Sequence, residues 1–160
     1  MKVNRMGRIE WTPALSIGLE NIDEEHKKLI AICNKLAHNI KGPSNSQVIT
    51  EEFKDLRAYT VYHFSNEEKY QKTIHYPEAN AHAQEHARLR KSVKDFQQSL
   101  YKEGYIPQQT VINFLKDWLI NHVLREDMKI GQFARSKMTT GTSQELRSQP
   151  KENVDPSIVS

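Results

Sequence analysis

Histidine and carboxylate side chains recur at helical spacing along this chain, and they are the residues whose types and positions could do chemistry. His63 and Glu67 stand four apart, as do His82 and His86. That spacing puts both members of a pair on one face of an α-helix. His26 lies on an earlier segment and His122 on a later one, the latter followed by Glu126 and Asp127. Imidazole nitrogens and carboxylate oxygens are metal ligands, and a pair four residues apart is a two-point clamp for one ion. A donor set without cysteine suits iron better than a thiolate-seeking metal. A lone histidine on an apolar face is most often a hydrogen-bonded core residue. Five of them together with Glu67, spread over four segments, point instead to one shared metal centre, because burying them unpaired is costly.

The elements that must position these residues follow from the breaks in the chain. Gly42-Pro43, Tyr76-Pro77, and Gly104 with Pro107 punctuate it, leaving segments at about 20–40, 46–74, 78–102 and 108–134. Each carries an apolar stripe at spacings of three and four: Ile22, Leu29, Cys33 and Leu36; Phe53, Leu56 and Tyr70; Leu89, Val93 and Phe96; Val111, Leu115 and Trp118. The histidines and Glu67 fall on those same stripes. No segment alternates as a strand does. Four long helices with short connections make an all-α, up-down-up-down four-helix bundle. Its second and third helices are antiparallel. Glu67 and His82 lie at comparable distances from the Tyr76-Pro77 turn, so their ligand pairs sit at one height.

The fourth segment leaves an alternative open. Counted along a straight α-helix, Glu126 is four residues beyond His122 and shares its face, whereas Asp127 is about 140° around. A local π-type widening of the helix brings Asp127 inward instead.

Taken together, Trp11, Asn21-Ile22-Asp23-Glu24-Glu25-His26, His63-Phe64-x-x-Glu67-Glu68, Tyr76-Pro77, His82-x-x-x-His86 and His122-x-x-x-x-Asp127 resemble the hemerythrin family, nearest to its bacterial branch. The resemblance covers roughly residues 10–133. It implies seven metal ligands: His26, His63, Glu67, His82, His86, His122 and Asp127, with Asp127 rather than Glu126 as the second bridging carboxylate. It implies two non-haem irons joined by an oxo or hydroxo bridge. His82, His86 and His122 then hold one iron, His26 and His63 the other, and Glu67 and Asp127 span both. Two six-coordinate irons so ligated keep a single open position, which suits reversible binding of O2. Phe64, Trp118, Leu119 and Val123 flank the ligands and read both as ordinary core and as a dry O2 pocket. The chain departs from the family at Gln71, one turn beyond Glu67, where an apolar residue, often Met, is usual.

The implied function is oxygen storage, delivery to oxygen-requiring enzymes, or buffering, by a carrier rather than an enzyme. Two alternatives stand beside it. One is an oxygen or iron sensor acting through an unidentified protein partner; the other is a diiron peroxidase or nitric-oxide-handling enzyme. Monomer and homo-oligomer are both open.

Composition bounds the rest. With 160 residues and 18.6 kDa the chain has room for one domain, and 37% hydrophobic residues support a modest core. We expect the bundle over 1–134, including an N-terminal arm of about 1–19, and a disordered polar tail over 135–160. No apolar run approaches the roughly 18–20 residues of a membrane span, and the N-terminus lacks a signal peptide's apolar stretch. A net charge of +3, with bases interspersed among acids, does not point to nucleic acid. The single cysteine, Cys33, fits a reducing, cytoplasmic setting and reads as core packing, with thiol chemistry a minor alternative. His38 reads as a surface residue and His75 as a turn residue. Glu24-Glu25 with Lys27-Lys28 read as a solvated helix face.

Overall fold

A computed structural model describes residues 7–43 and 45–147. Helix α1 spans Glu20–Asn39, α2 Ser46–Thr73 and α3 Ala79–Leu100. The fourth rod is built of α4 (Gln108–His122), one π-helical stretch (Val123–Asp127) and α5 (Met128–Arg147). Helix α2 packs on α1 and α3, and α1 also packs on α4, which is the expected bundle.

Local chemistry accounts for the ends of the helices. The Asn45 side chain accepts a hydrogen bond from the Val48 amide at 3.0 Å and so caps α2. At the other end of α2, His75 takes a left-handed conformation (φ 55°). The Tyr76 amide then donates to the Gln71 carbonyl and the His75 amide to the Lys72 carbonyl, the paired bonds of a Schellman turn. His75 is thus the turn residue it was expected to be.

The apolar core fills the end of the bundle away from that turn. Leu36, Ile40, Phe53, Leu56, Val93 and Leu115 are all buried there. Burying each large side chain contributes about 1.5–3 kcal/mol. The N-terminal arm is tied down at two points. Asn34 exchanges two hydrogen bonds with the Ile9 backbone, both 2.8 Å. Farther along, the Ile17 amide donates to Asp23 at 2.9 Å, while Arg135 donates to the Ile17 carbonyl at 3.1 Å. Gly131 makes this docking feasible, since a Cβ there would lie 1.8 Å from the Ile17 carbonyl oxygen.

Two local details go beyond the expected all-α bundle. The chain contains a short ladder: β1 (Gly42–Pro43) pairs antiparallel with β2 (Tyr105–Ile106). A two-residue pairing that only ties two loops together needs no alternating pattern, so periodicity could not reveal it. The polar segment expected to be disordered from residue 135 is helical through Arg147. An existing helix lengthens by one hydrogen bond per residue without a new nucleus, so extension does not require an apolar face. Arg135 and Lys137, which donates to the Ile74 carbonyl, also anchor its first turns. The remainder of that expectation, residues 148–160, lies outside the described residues.

Candidate metal centre

All seven side chains singled out in the sequence meet in the interior, at the end of the bundle near the α2–α3 turn, and all are buried. Helix α1 supplies His26, α2 His63 and Glu67, α3 His82 and His86, and the fourth rod His122 and Asp127. The π-helical stretch decides between the two acids of that rod. Its wider turn carries Asp127 round to the face of His122, where it is fully buried. Glu126 faces outward and pairs with Lys129 at 3.4 Å.

Each carboxylate divides its two oxygens between two groups of histidines. Glu67 Oε1 lies 2.8 Å from His82 Nε2 and 3.2 Å from His86 Nε2, while its Oε2 lies 3.3 Å from His63 Nε2 and 3.6 Å from His26 Nε2. Asp127 Oδ1 is 3.1 Å from His82 Nε2 and 2.9 Å from His122 Nε2, with Oδ2 3.1 Å from His26 Nε2. Two clusters result, Glu67-His82-His86-His122-Asp127 and His26-His63-Glu67-Asp127. Within each, one donor atom per residue lies within 4.8 Å of every other. They share the two carboxylates.

Apart from the hydrogen bond between His82 Nε2 and Glu67 Oε1, these contacts are close without being aligned hydrogen bonds. Both ring nitrogens of His26 and of His122, Glu67 Oε2 and both Asp127 oxygens are buried with no aligned partner. Unpaired buried polar atoms are costly. Nitrogen and oxygen atoms that approach one another at 3 Å while pointing past one another are arranged for something between them. Five imidazoles, two carboxylates and no thiolate suit non-haem iron.

The electrostatics of the metal-free cluster follow from the same proximity. Burial lowers the pKa of His26, but Asp127 and Glu67 overcome it and push it up to about 10. His82 is raised to about 9 against the same burial effect by the same carboxylates, and His63 is raised by Glu25 and Glu67. Burial works to raise Glu67 and Asp127, yet the surrounding imidazoles hold Glu67 well below the usual carboxylate range and lower Asp127.

Around the cluster, two acids orient imidazoles through their outer nitrogens. His86 Nδ1 lies 2.8 Å from Glu68 Oε1, and His63 Nδ1 3.2 Å from Glu25 Oε1, which also accepts from Asn66. Such carboxylate–histidine pairs fix the ring and its tautomer. Glu25 therefore departs from the solvated-face reading, which holds for Glu24 and its 2.7 Å pair with Lys27. Spacing could not show either partner, because each reaches a histidine on a different helix.

Phe64 stacks on His86 with ring centroids 3.8 Å apart, and Leu119 and Val123 are buried beside it. Trp118 is fixed by a 3.0 Å hydrogen bond to the Leu89 carbonyl. It lines a cleft of about 380 Å³ between α3 and α4 that reaches His122. Gln71 is fully buried and neither of its amide atoms has a partner. His38 and His75 are exposed, away from the cluster. Cys33 is buried and its thiol is pushed up to about 12 by that burial, so it is not a reactive thiolate.

A family model described as the hemerythrin HHE cation binding domain matches residues 17–134. The chain belongs to the hemerythrin family. Among its relatives, a bacteriohemerythrin of Clostridium acetobutylicum is 30% identical over 123 residues, covering 73% of this chain and 94% of that protein. A bacteriohemerythrin of Methylococcus capsulatus is 29% identical, covering 79% and 96%. A crystal structure of wild-type hemerythrin superposes with a TM-score of 0.67 at 28% identity, covering 78% of this chain and 95% of that one. The match spans the four helical rods that carry the seven buried side chains. No helix among the described residues is long and apolar enough to cross a membrane.

Proposed function

We propose that this hemerythrin holds two non-haem irons and binds O2 reversibly, for storage, delivery to oxygen-requiring enzymes or local buffering. The observation that carries the proposal is the division of Glu67 and Asp127 between a histidine trio and a histidine pair. In this reading His82, His86 and His122 would hold one iron and His26 and His63 the other, with Glu67 and Asp127 contributing an oxygen to each. Reduced iron supplies the electrons that make O2 a ligand. With two histidines against three, the side of His26 and His63 is where O2 would be taken up. Phe64, Trp118, Leu119 and Val123 keep water from the centre, which favours release of O2 as O2 over its loss in a reduced form. Glu25 and Glu68 hold the His63 and His86 rings in the orientation the metals need.

Carrier function is supported over enzymatic turnover by the number of protein ligands, since seven leave little room for a substrate beside O2. A cytoplasmic setting belongs to the same reading, supported by the single unpaired Cys33.

The test is anaerobic loading with ferrous iron followed by alternating exposure to air and argon, watched by visible absorption. An absorption band that appears in air and disappears under argon over repeated cycles is the expected result. A spectrum that changes once and does not return on deoxygenation would contradict reversible binding.

A further inference from the structure

A second cleft, of about 390 Å³, lies between α2 and α3 outside the metal centre. Arg57 and Thr60 line it from α2, and Arg90, Lys91 and Lys94 from α3, with Val61 and Val93 completing the wall. It contains four cations and no carboxylate. Lys91 is paired with Asp95 at 2.6 Å, but among the described residues Arg57, Arg90 and Lys94 have no ion-pair partner. Arg90 and Lys94 stand four apart on one helix face, a like-charge arrangement that disfavours the helix. An anion in the cleft reverses the sign of that interaction.

Thr60 supplies an independent observation. The other described threonines of α2 satisfy their hydroxyls on the carbonyl four residues back, Thr50 on Ser46 at 2.8 Å and Thr73 on Lys69 at 3.0 Å. Thr60 does not. It is 3% exposed and its hydroxyl has no partner, although it lines the cleft. Thr60 thus puts a buried, unpartnered hydroxyl in the wall of a cleft lined by four cations, and guanidinium and ammonium groups supply the charge that an oxyanion needs.

We propose that the α2–α3 cleft binds a small multivalent oxyanion, a phosphoryl or polycarboxylate compound of a size to span Arg57 and the Arg90–Lys94 face. The site does not depend on the metal reading. It does lie close to the centre: the Arg90 guanidinium sits 5.9 Å over the Phe64 ring, and Phe64 stacks on His86. An occupant paired with Arg90 is two side chains from a histidine of the centre.

Isothermal titration of the full chain with inorganic pyrophosphate and, separately, citrate at low ionic strength tests the proposal. Saturable binding of one anion per chain is expected, weakening as salt rises. Binding of both anions places the site in the general oxyanion class, and binding of one alone narrows it to phosphoryl or carboxylate ligands. Combining Arg57→Gln, Arg90→Gln and Lys94→Gln should weaken binding by about a hundredfold or more. Thr60→Val should weaken it severalfold without lowering the melting temperature. Lys27→Gln with Lys28→Gln, cations of α1, should leave it unchanged. Should the triple variant fail to fold, Arg57→Gln and Lys94→Gln singly, both at exposed positions, should each cost about tenfold. Absence of saturable binding to either anion, equal affinity in the cleft variants, or an equal loss in the α1 control would overturn the proposal.

Discussion

Glu67 and Asp127 come from different helices, yet each places one oxygen beside His82 and the other beside His26. Two carboxylates so arranged occupy the axis between two groups of imidazoles. Neither can be replaced by a neighbour in sequence, because Glu68 and Glu126 face other directions.

The first prediction separates the two acids of the fourth rod. Asp127→Ala removes a donor from both clusters and a negative charge from a buried group of imidazoles, so the protein should lose or loosen one iron. Glu126→Ala touches only an exposed pair and should change stability by no more than about 0.5 kcal/mol. Metal analysis and thermal melts of the two variants check this. A damaging Glu126→Ala beside a silent Asp127→Ala would contradict the geometry.

Proton linkage gives the second. In the metal-free fold His26 is raised above its ordinary 6.5, so its contribution to stability is complete below 6.5 and is lost as pH climbs through about 10. Glu67 is depressed below its ordinary 4.5, so its contribution is present above 4.5 and lost as pH falls. The metal-free protein should therefore melt highest between these two values and progressively lower towards pH 10. Iron requires neutral imidazole. Loading near neutrality must then displace protons from His26 and His82, which an indicator dye in weak buffer will register. A flat melting temperature across the alkaline range, or loading without acid release, would be the opposite result.

Third, the outer carboxylates should matter for affinity more than for assembly. Glu68→Ala frees His86 Nδ1 from its partner and should weaken metal binding by about 10–100-fold, measured by chelator competition. Unchanged affinity would mean that packing on Phe64 alone orients the ring.

Fourth, Gln71 carries a buried amide with no partner, so replacing it with a side chain of similar volume and no polar atoms should help. Gln71→Met is expected to raise stability by about 1 kcal/mol, a gain of about 2–4 °C in a chain of this size. A fall in melting temperature would show that the amide is satisfied by an ordered water that the substitution displaces.

How much of this was legible from residue order depends on whether an interaction lies within one helix. The stripes through Phe53, Leu56, Leu89 and Leu115 specify the bundle because helical periodicity is local, and the same periodicity exposes the His63-Glu67 and His82-His86 pairs. Asp127 was beyond that logic. Straight-helix counting selects Glu126, and only the family resemblance pointed to the acid that the π turn brings inward. Glu25 and Glu68 escaped notice because each serves a histidine on another helix, a contact that exists only once the helices are packed. The helix past residue 134 escaped for a different reason: composition measures the capacity to bury surface, whereas an extension of an existing helix needs little burial.

The most direct test of the central claim is the stoichiometry of an anaerobic ferrous titration of the metal-free chain, with bound iron determined after removal of excess. Two clusters sharing Glu67 and Asp127 predict saturation at two irons per chain. Saturation at one iron, or a preference for zinc when both metals are offered, would contradict a diiron centre.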